Sequence, residues 1–265
     1  MIAQTLGGAV NRHSEDIAQQ PNRPFPISQH YLLLLLLTWA AGSIDVISFI
    51  GFNGIFTANM SGNIVLLGLD LGQKKLAVAS RIAIALAGYC LGVIVGELIV
   101  KRDQKEGIWS KVVTKALILE AILLAVFTLL WYLGGAASQA VAPLLITLAA
   151  LSMGIQSAAI DHLKIKGITT TYFSGTLTVL LIESVDTLLL RSSSKRGQGP
   201  TSTPKVSSHN IGLQISLTVI YAIAAGANGL ASGLTGTIWP SLSISFPLIA
   251  VLGVILTDLL RRRSP

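Results

Sequence analysis

Apolar residues run unbroken for roughly the 20 residues that an α-helix needs to cross a bilayer in six places, near 31–51, 77–100, 116–135, 139–160, 211–234 and 238–260. Two further segments, near 57–72 and 170–190, are apolar only in their second halves and open on polar, glycine-bearing sequence. The pattern predicts an all-α polytopic membrane bundle of six full spans plus two broken or re-entrant half-helices. Charge favours that count. Positive residues gather on the cytoplasmic side of membrane proteins. If the two odd segments enter and leave on one side, Arg12, Arg23, Lys101, Arg102, Lys105, Lys111, Lys115, Lys164, Lys166, Arg191, Lys195, Arg196, Lys205 and Arg261 to Arg263 all become cytoplasmic, sixteen of nineteen basic residues. Both termini then lie in the cytoplasm, and the location expected is a bacterial plasma (inner) membrane.

The two odd segments resemble each other. A shift of 113 residues places Gly54 on Gly167, Thr57 on Thr170, Ser61 on Ser174, Gly62 on Gly175 and Asp70 on Glu183. Each motif follows one full span and precedes two, so each half has an odd number of crossings and the halves must lie in opposite orientations, the inverted-repeat plan of many secondary transporters. The chain divides into a polar, proline-bearing tail at 1–30, expected to be disordered and uncleaved, a first repeat at 31–135, a second at 139–260 and a basic tail at 261–265.

Composition agrees: of 265 residues, 52% are hydrophobic and only 12% charged, with a mean hydropathy of +0.69. The net charge of +7 reads as topology rather than as a nucleic-acid surface. The lone Cys90 excludes an intramolecular disulfide and a cysteine-based zinc site. The four histidines are scattered, and no HExxH, GxSxG or P-loop occurs, so neither an enzyme nor a cofactor is expected.

Irregular backbone at membrane depth survives only where it is buried in protein or lines a cavity. A helix that starts there presents unpaired N–H groups and the positive end of its dipole, a setting for a small anion or carboxylate. The candidate solute contacts are Thr57, Asn59, Ser61, Gly62 and Asn63 in the first motif, Thr170, Thr171, Ser174 and Gly175 in the second, and Gln156 in the span near 139–160, for which a hydrogen bond to a neighbouring helix is the alternative. Asn59 and Ser61 are natural N-caps. Asp45, inside the first span, is a candidate for ion coupling and lies at a depth similar to Arg81, with which it could pair. Tight packing turns are the bland alternative for both motifs. Glu97 and Glu120 are expected near cytoplasmic helix ends, and Asp70 and Glu183 in solvated or loosely paired positions. Gly88, Gly92 and Gly96, and again Gly229 and Gly233, form GxxxG steps that favour close helix approach and are compatible with a homodimer.

The stretches "AGSIDVISFIGFNGIFTANMSGNIVLLGL" (Ala41 to Leu69) and "GIQSAAIDHLKIKGITTTYFSGTLT" (Gly154 to Thr178) closely resemble the YoaK-like family of bacterial integral membrane proteins, described as uncharacterised and permease-like. The resemblance runs over nearly the whole chain after the tail. It departs at Gln156-Ser157, where family members often carry Gln-Asn, and near Asp161-His162, where they carry a basic pair. It implies a membrane permease and transfers no catalytic residue. The expectation is therefore an ion-coupled permease for a small molecule; a passive channel and a non-transporting receptor or assembly factor are the alternatives.

Overall fold

The computed structural model describes residues 27–102, 109–134, 140–163, 170, 178, 181–182, 185, 208–235 and 245–263. Seven helices account for nearly all of them: α1 (Ile27–Gly51), α2 (Met60–Gly72), α3 (Leu76–Val100), α4 (Lys111–Gly134), α5 (Ala142–Asp161), α6 (Ser208–Thr235) and α7 (Ser245–Arg263). Five are long and apolar enough to cross a membrane, while α2 and the apolar part of α7 are shorter. The protein is a polytopic helical membrane bundle. Helix boundaries differ from the hydropathy pattern where local chemistry intervenes. The α4 helix starts at Lys111, five residues before the apolar run, because lysines tolerate a helix end at the interface. The α5 helix starts at Ala142, with Pro143 in its first turn, where the missing N–H costs nothing.

Packing follows a crossed pattern. In one group α1 carries α6 on one flank and α7 on another; in the other group α5 carries α3 and α4, with α2 lying on α3. The groups meet where α4 touches α7 and α1 touches α5. Glycine sets the closest approach. A Cβ at Gly92 would fall on the Leu151 carbonyl, and one at Gly154 on the Tyr89 carbonyl, so α3 and α5 run backbone to backbone. Gly88 lies beside Thr147 and Ala150, and Gly96 beside Ile155 and Ala158, which makes the two helices parallel. In the other group Gly42 of α1 meets Tyr221 and Ala224 of α6. Gly229 and Gly233 correct the sequence expectation, since nothing lies within 4 Å of where their Cβ atoms would be. The spacing gave a small-residue face, and that face is turned away from the described core.

These contacts fix the path of α2. Trp131, near the end of α4, packs on Gly51 and Phe52 at the end of α1, so α1 and α4 finish on one side. The short link after Gly134 starts α5 there too. Because α3 is parallel to α5 and in register with it, α3 also begins on that side. The chain therefore leaves α1 and enters α3 on the same face, and α2 between them is re-entrant. An independent contact agrees: Gln156, fourteen residues into α5, donates to the carbonyl of Leu37, fourteen residues before the end of α1. Both lie about 21 Å from that face at about 1.5 Å per residue.

Two Schellman-type ends frame the re-entrant piece. At the end of α1, Gly54 N–H reaches the Phe49 carbonyl with Asn53 in left-handed conformation (φ 59°). At the end of α2, Lys75 N–H reaches the Asp70 carbonyl with Lys74 at φ 59°. Asp70 is buried, not solvated as its position at a helix end had implied.

Candidate functional site

Between the two ends, residues 52–59 descend into the bundle before α2 begins. Eight residues of irregular backbone cannot satisfy one another, and in an apolar interior each bare N–H costs about 1–3 kcal/mol. The sequence solves this with a carboxylate from the neighbouring span. Asp45, only 2% exposed, sits six residues below the end of α1, which places it about 9 Å into the protein. Its Oδ1 accepts from Thr57 N–H at 2.8 Å and Ala58 N–H at 2.6 Å, and its Oδ2 from Asn59 N–H at 3.1 Å. The Tyr221 hydroxyl of α6 donates to Oδ2 at 2.7 Å. Every partner is a donor, the surrounding that an acceptor-only carboxylate needs.

The remaining polar groups of the first motif are also engaged. Thr57 Oγ1 lies 3.0 Å from Ser48 Oγ. Asn59 is the N-cap of α2: its Oδ1 accepts from Gly62 N–H at 3.3 Å and from the Ser61 hydroxyl at 2.9 Å. Asn63 clamps the loop from both sides, accepting from Phe56 N–H at 3.0 Å and donating to the Phe56 carbonyl at 2.7 Å. Gly62 is needed for space, since a Cβ there would meet the Phe56 ring at 3.1 Å. Thus Thr57, Asn59, Ser61, Gly62 and Asn63 gather at the start of α2, and the backbone donors before it hold the chain's own Asp45 carboxylate. The pairing of Asp45 with Arg81, suggested by depth, is replaced by these four donors: three backbone amides that stand close along the chain and already need an acceptor, and the Tyr221 hydroxyl.

The second half shows a related but thinner arrangement. Gln156, fully buried, donates through Nε2 to Thr170 Oγ1 at 2.8 Å and to the Leu37 carbonyl at 3.2 Å, while its Oε1 has no partner. Thr170 is the counterpart of Thr57 under the 113-residue shift. Thr171, Ser174 and Gly175 lie outside the described residues. A tyrosine recurs as well: Tyr89 on α3 bonds Ser157 of α5 at 2.7 Å, next to Gly154, as Tyr221 on α6 bonds Asp45 of α1, three residues from Gly42.

From the sequence Tyr221, like Asn228, reads as a polar span residue that bonds a neighbouring helix or a solute, with no particular partner indicated. Its spacing after Gly212 carries no motif, and only the crossed packing brings it to Asp45. Glu120 was misplaced. Counted from the apolar run beginning at 116 it stood near a helix end, but α4 begins at Lys111 and Glu120 lies deep in the bundle, 0% exposed, with no hydrogen-bond partner for either carboxyl oxygen. By contrast Glu97 is at a helix end and pairs with Lys101 at 3.3 Å. Among the described residues no three of His, Cys, Asp and Glu gather as metal ligands.

Residues 33–257 match the family model described as "Protein of unknown function (DUF1275)". Over 151 residues the chain is 43% identical to the "UPF0700 transmembrane protein YoaK" of Bacillus subtilis (strain 168). That stretch is 56% of this chain and 64% of the relative, so the chain spans less than two thirds of the relative's length. No solved structure matches.

Proposed function

The chain belongs to the DUF1275 family, and we propose that within it this protein is a small-molecule permease, a secondary transporter of the bacterial plasma membrane built from two inverted repeats. The observation that carries this reading is the Asp45 clasp, an intramembrane carboxylate closing a broken helix at the boundary between two helix groups. Asp45 belongs to α1 and its group, while the loop it holds leads into α2, which lies on α3 of the other group. Crossed packing supports the repeat: with α1 corresponding to α5, α6 to α3 and α7 to α4, the α1–α6 and α1–α7 contacts of one group match the α5–α3 and α5–α4 contacts of the other. Two seams remain, α1 with α5 and α4 with α7, and polar bonds line both: Gln156 to Leu37, Thr114 to Asp258 at 2.7 Å, and Tyr132 to Ser245 at 3.3 Å. Rocking one group on the other breaks hydrogen bonds along these seams and leaves the glycine-locked pairs intact, which is the form alternating access takes in transporters of this plan.

The solute class follows from the same atoms. Amides that hold the Asp45 carboxylate are shaped for a carboxylate, so a small carboxylate or similar anion competes with Asp45 for Thr57, Ala58 and Asn59 N–H. A thermal-shift screen of small carboxylates on purified protein tests this, since a ligand of the folded state stabilises it by mass action. Asp45→Asn, with a weaker internal competitor, should show the larger stabilisation; equal or absent shifts in both proteins would remove the carboxylate assignment. Uptake into liposomes tests transport itself, with saturation at modest solute concentration expected of a permease and not of a channel.

A further inference from the structure

Of the carboxyl groups buried among the described residues, Asp45 and Glu120 stand under opposite conditions. Asp45 is surrounded by four donors, whereas Glu120 has none on either oxygen. Trp131 is level with the end of α1, and Glu120 lies eleven residues below Trp131 on α4, so it stands about 16 Å from that face, near the middle of the bundle. On its own helix the charged residues Lys111 and Lys115 are exposed near the opposite end. Three helices pack on α4: α5, α7 and α3. On α5 the titratable side chain is Asp161, at its last turn. On α7 they are Asp258, bonded to Thr114, six residues from Glu120, and Arg261 to Arg263 at its last turn. On α3 they are Arg81, near the first turn, Tyr89, bonded to Ser157, Cys90, exposed, and Glu97, paired with Lys101. None supplies a donor to Glu120.

A carboxylate left bare in such a place would carry an uncompensated charge out of water, which protein interiors tolerate only with a partner. A metal ion is a poor partner, because it needs about six oxygen ligands and Glu120 brings only its own. A proton needs one. Resting on the permease reading above, we propose that Glu120 is the proton-binding residue of this protein, taking a proton from water when the α4 and α7 seam opens on one side and returning it to water when it opens on the other. Asp45, which the sequence offered for coupling, is instead a positioning residue that closes the first break. Uptake of a carboxylate together with one proton lets the solute cross without net charge, and no co-reactant other than water is required.

Infrared difference spectra of the full chain in lipid bilayers, in H2O and D2O, test the proton directly. Wild type should show a deuterium-sensitive carboxylic-acid band at neutral pH that Glu120→Gln removes and Asp45→Asn keeps. A missing band in wild type, or a band lost in Asp45→Asn and kept in Glu120→Gln, overturns the assignment. In liposomes offered small carboxylates singly, Glu120→Gln should lower accumulation driven by a pH gradient at least tenfold while solute exchange at equal pH continues. Equal loss of both would mean a merely structural role and overturn coupling. If wild type moves no carboxylate, the permease reading fails and coupling with it, whatever the band shows.

Discussion

Thr57 and Thr170, which correspond under the 113-residue shift, are held by different chemistry. At Thr57 a carboxylate takes three backbone donors and a tyrosine hydroxyl, filling its acceptor sites with charge-assisted bonds. At Thr170 an amide gives one hydrogen to the threonine and another to a carbonyl, and its own oxygen stays bare. One clasp is saturated and ionic in character; the other is half used and neutral. Corresponding positions in the sequence therefore do not mean corresponding strength.

Removing the strong clasp gives the largest expected effect. Asp45→Ala leaves buried amides without an acceptor and should destabilise the protein by about 3–5 kcal/mol, seen as a lower unfolding midpoint in detergent and loss of monodisperse protein. Asp45→Asn keeps one acceptor oxygen and should lose about half as much. Next comes Gly92→Ala, which drives a methyl into the Leu151 carbonyl and should cost about 1–3 kcal/mol by forcing α3 from α5. Gly229→Ala is its control: with open space at that position, the better helix propensity of alanine should leave stability unchanged or raise it by up to about 1 kcal/mol. Tyr221→Phe deletes a single donor and should cost about 1.5–3 kcal/mol, because its acceptor is the carboxylate. The smallest loss belongs to the weak clasp. Gln156→Leu removes two bonds but also a buried bare oxygen, so its loss should stay below about 1 kcal/mol. A larger loss for Gln156→Leu than for Tyr221→Phe would reverse the comparison.

Much of this was readable before any coordinates. Run length gave the spans, and the polar interruption after Gly51 gave the break, because lipid allows no other reason for such residues at that depth. Asn59 as a cap and Gly88, Gly92 and Gly96 as a contact ridge follow from local rules. Three features were not legible, each for a physical cause. The partner of Asp45 was sought among opposite charges, yet unsatisfied amides twelve to fourteen residues away are nearer and equally demanding. Glu120 was counted from the edge of the apolar run, but the helix extends a further turn into lysine-bearing sequence, and that turn carries the carboxyl inward. Gly229 and Gly233 share the spacing of the first ridge, and spacing alone does not say which way a face is turned.

The backbone contact at Gly92 and Gly154 limits how such a molecule can move. Even one methyl group at Gly92 or Gly154 would meet a backbone carbonyl of the facing helix, so α3 and α5 have no room to be forced apart by a side chain there. The two rods therefore form one packed unit, and α2, lying on α3, is joined to that unit on one side and through its loop to Asp45 of α1 on the other.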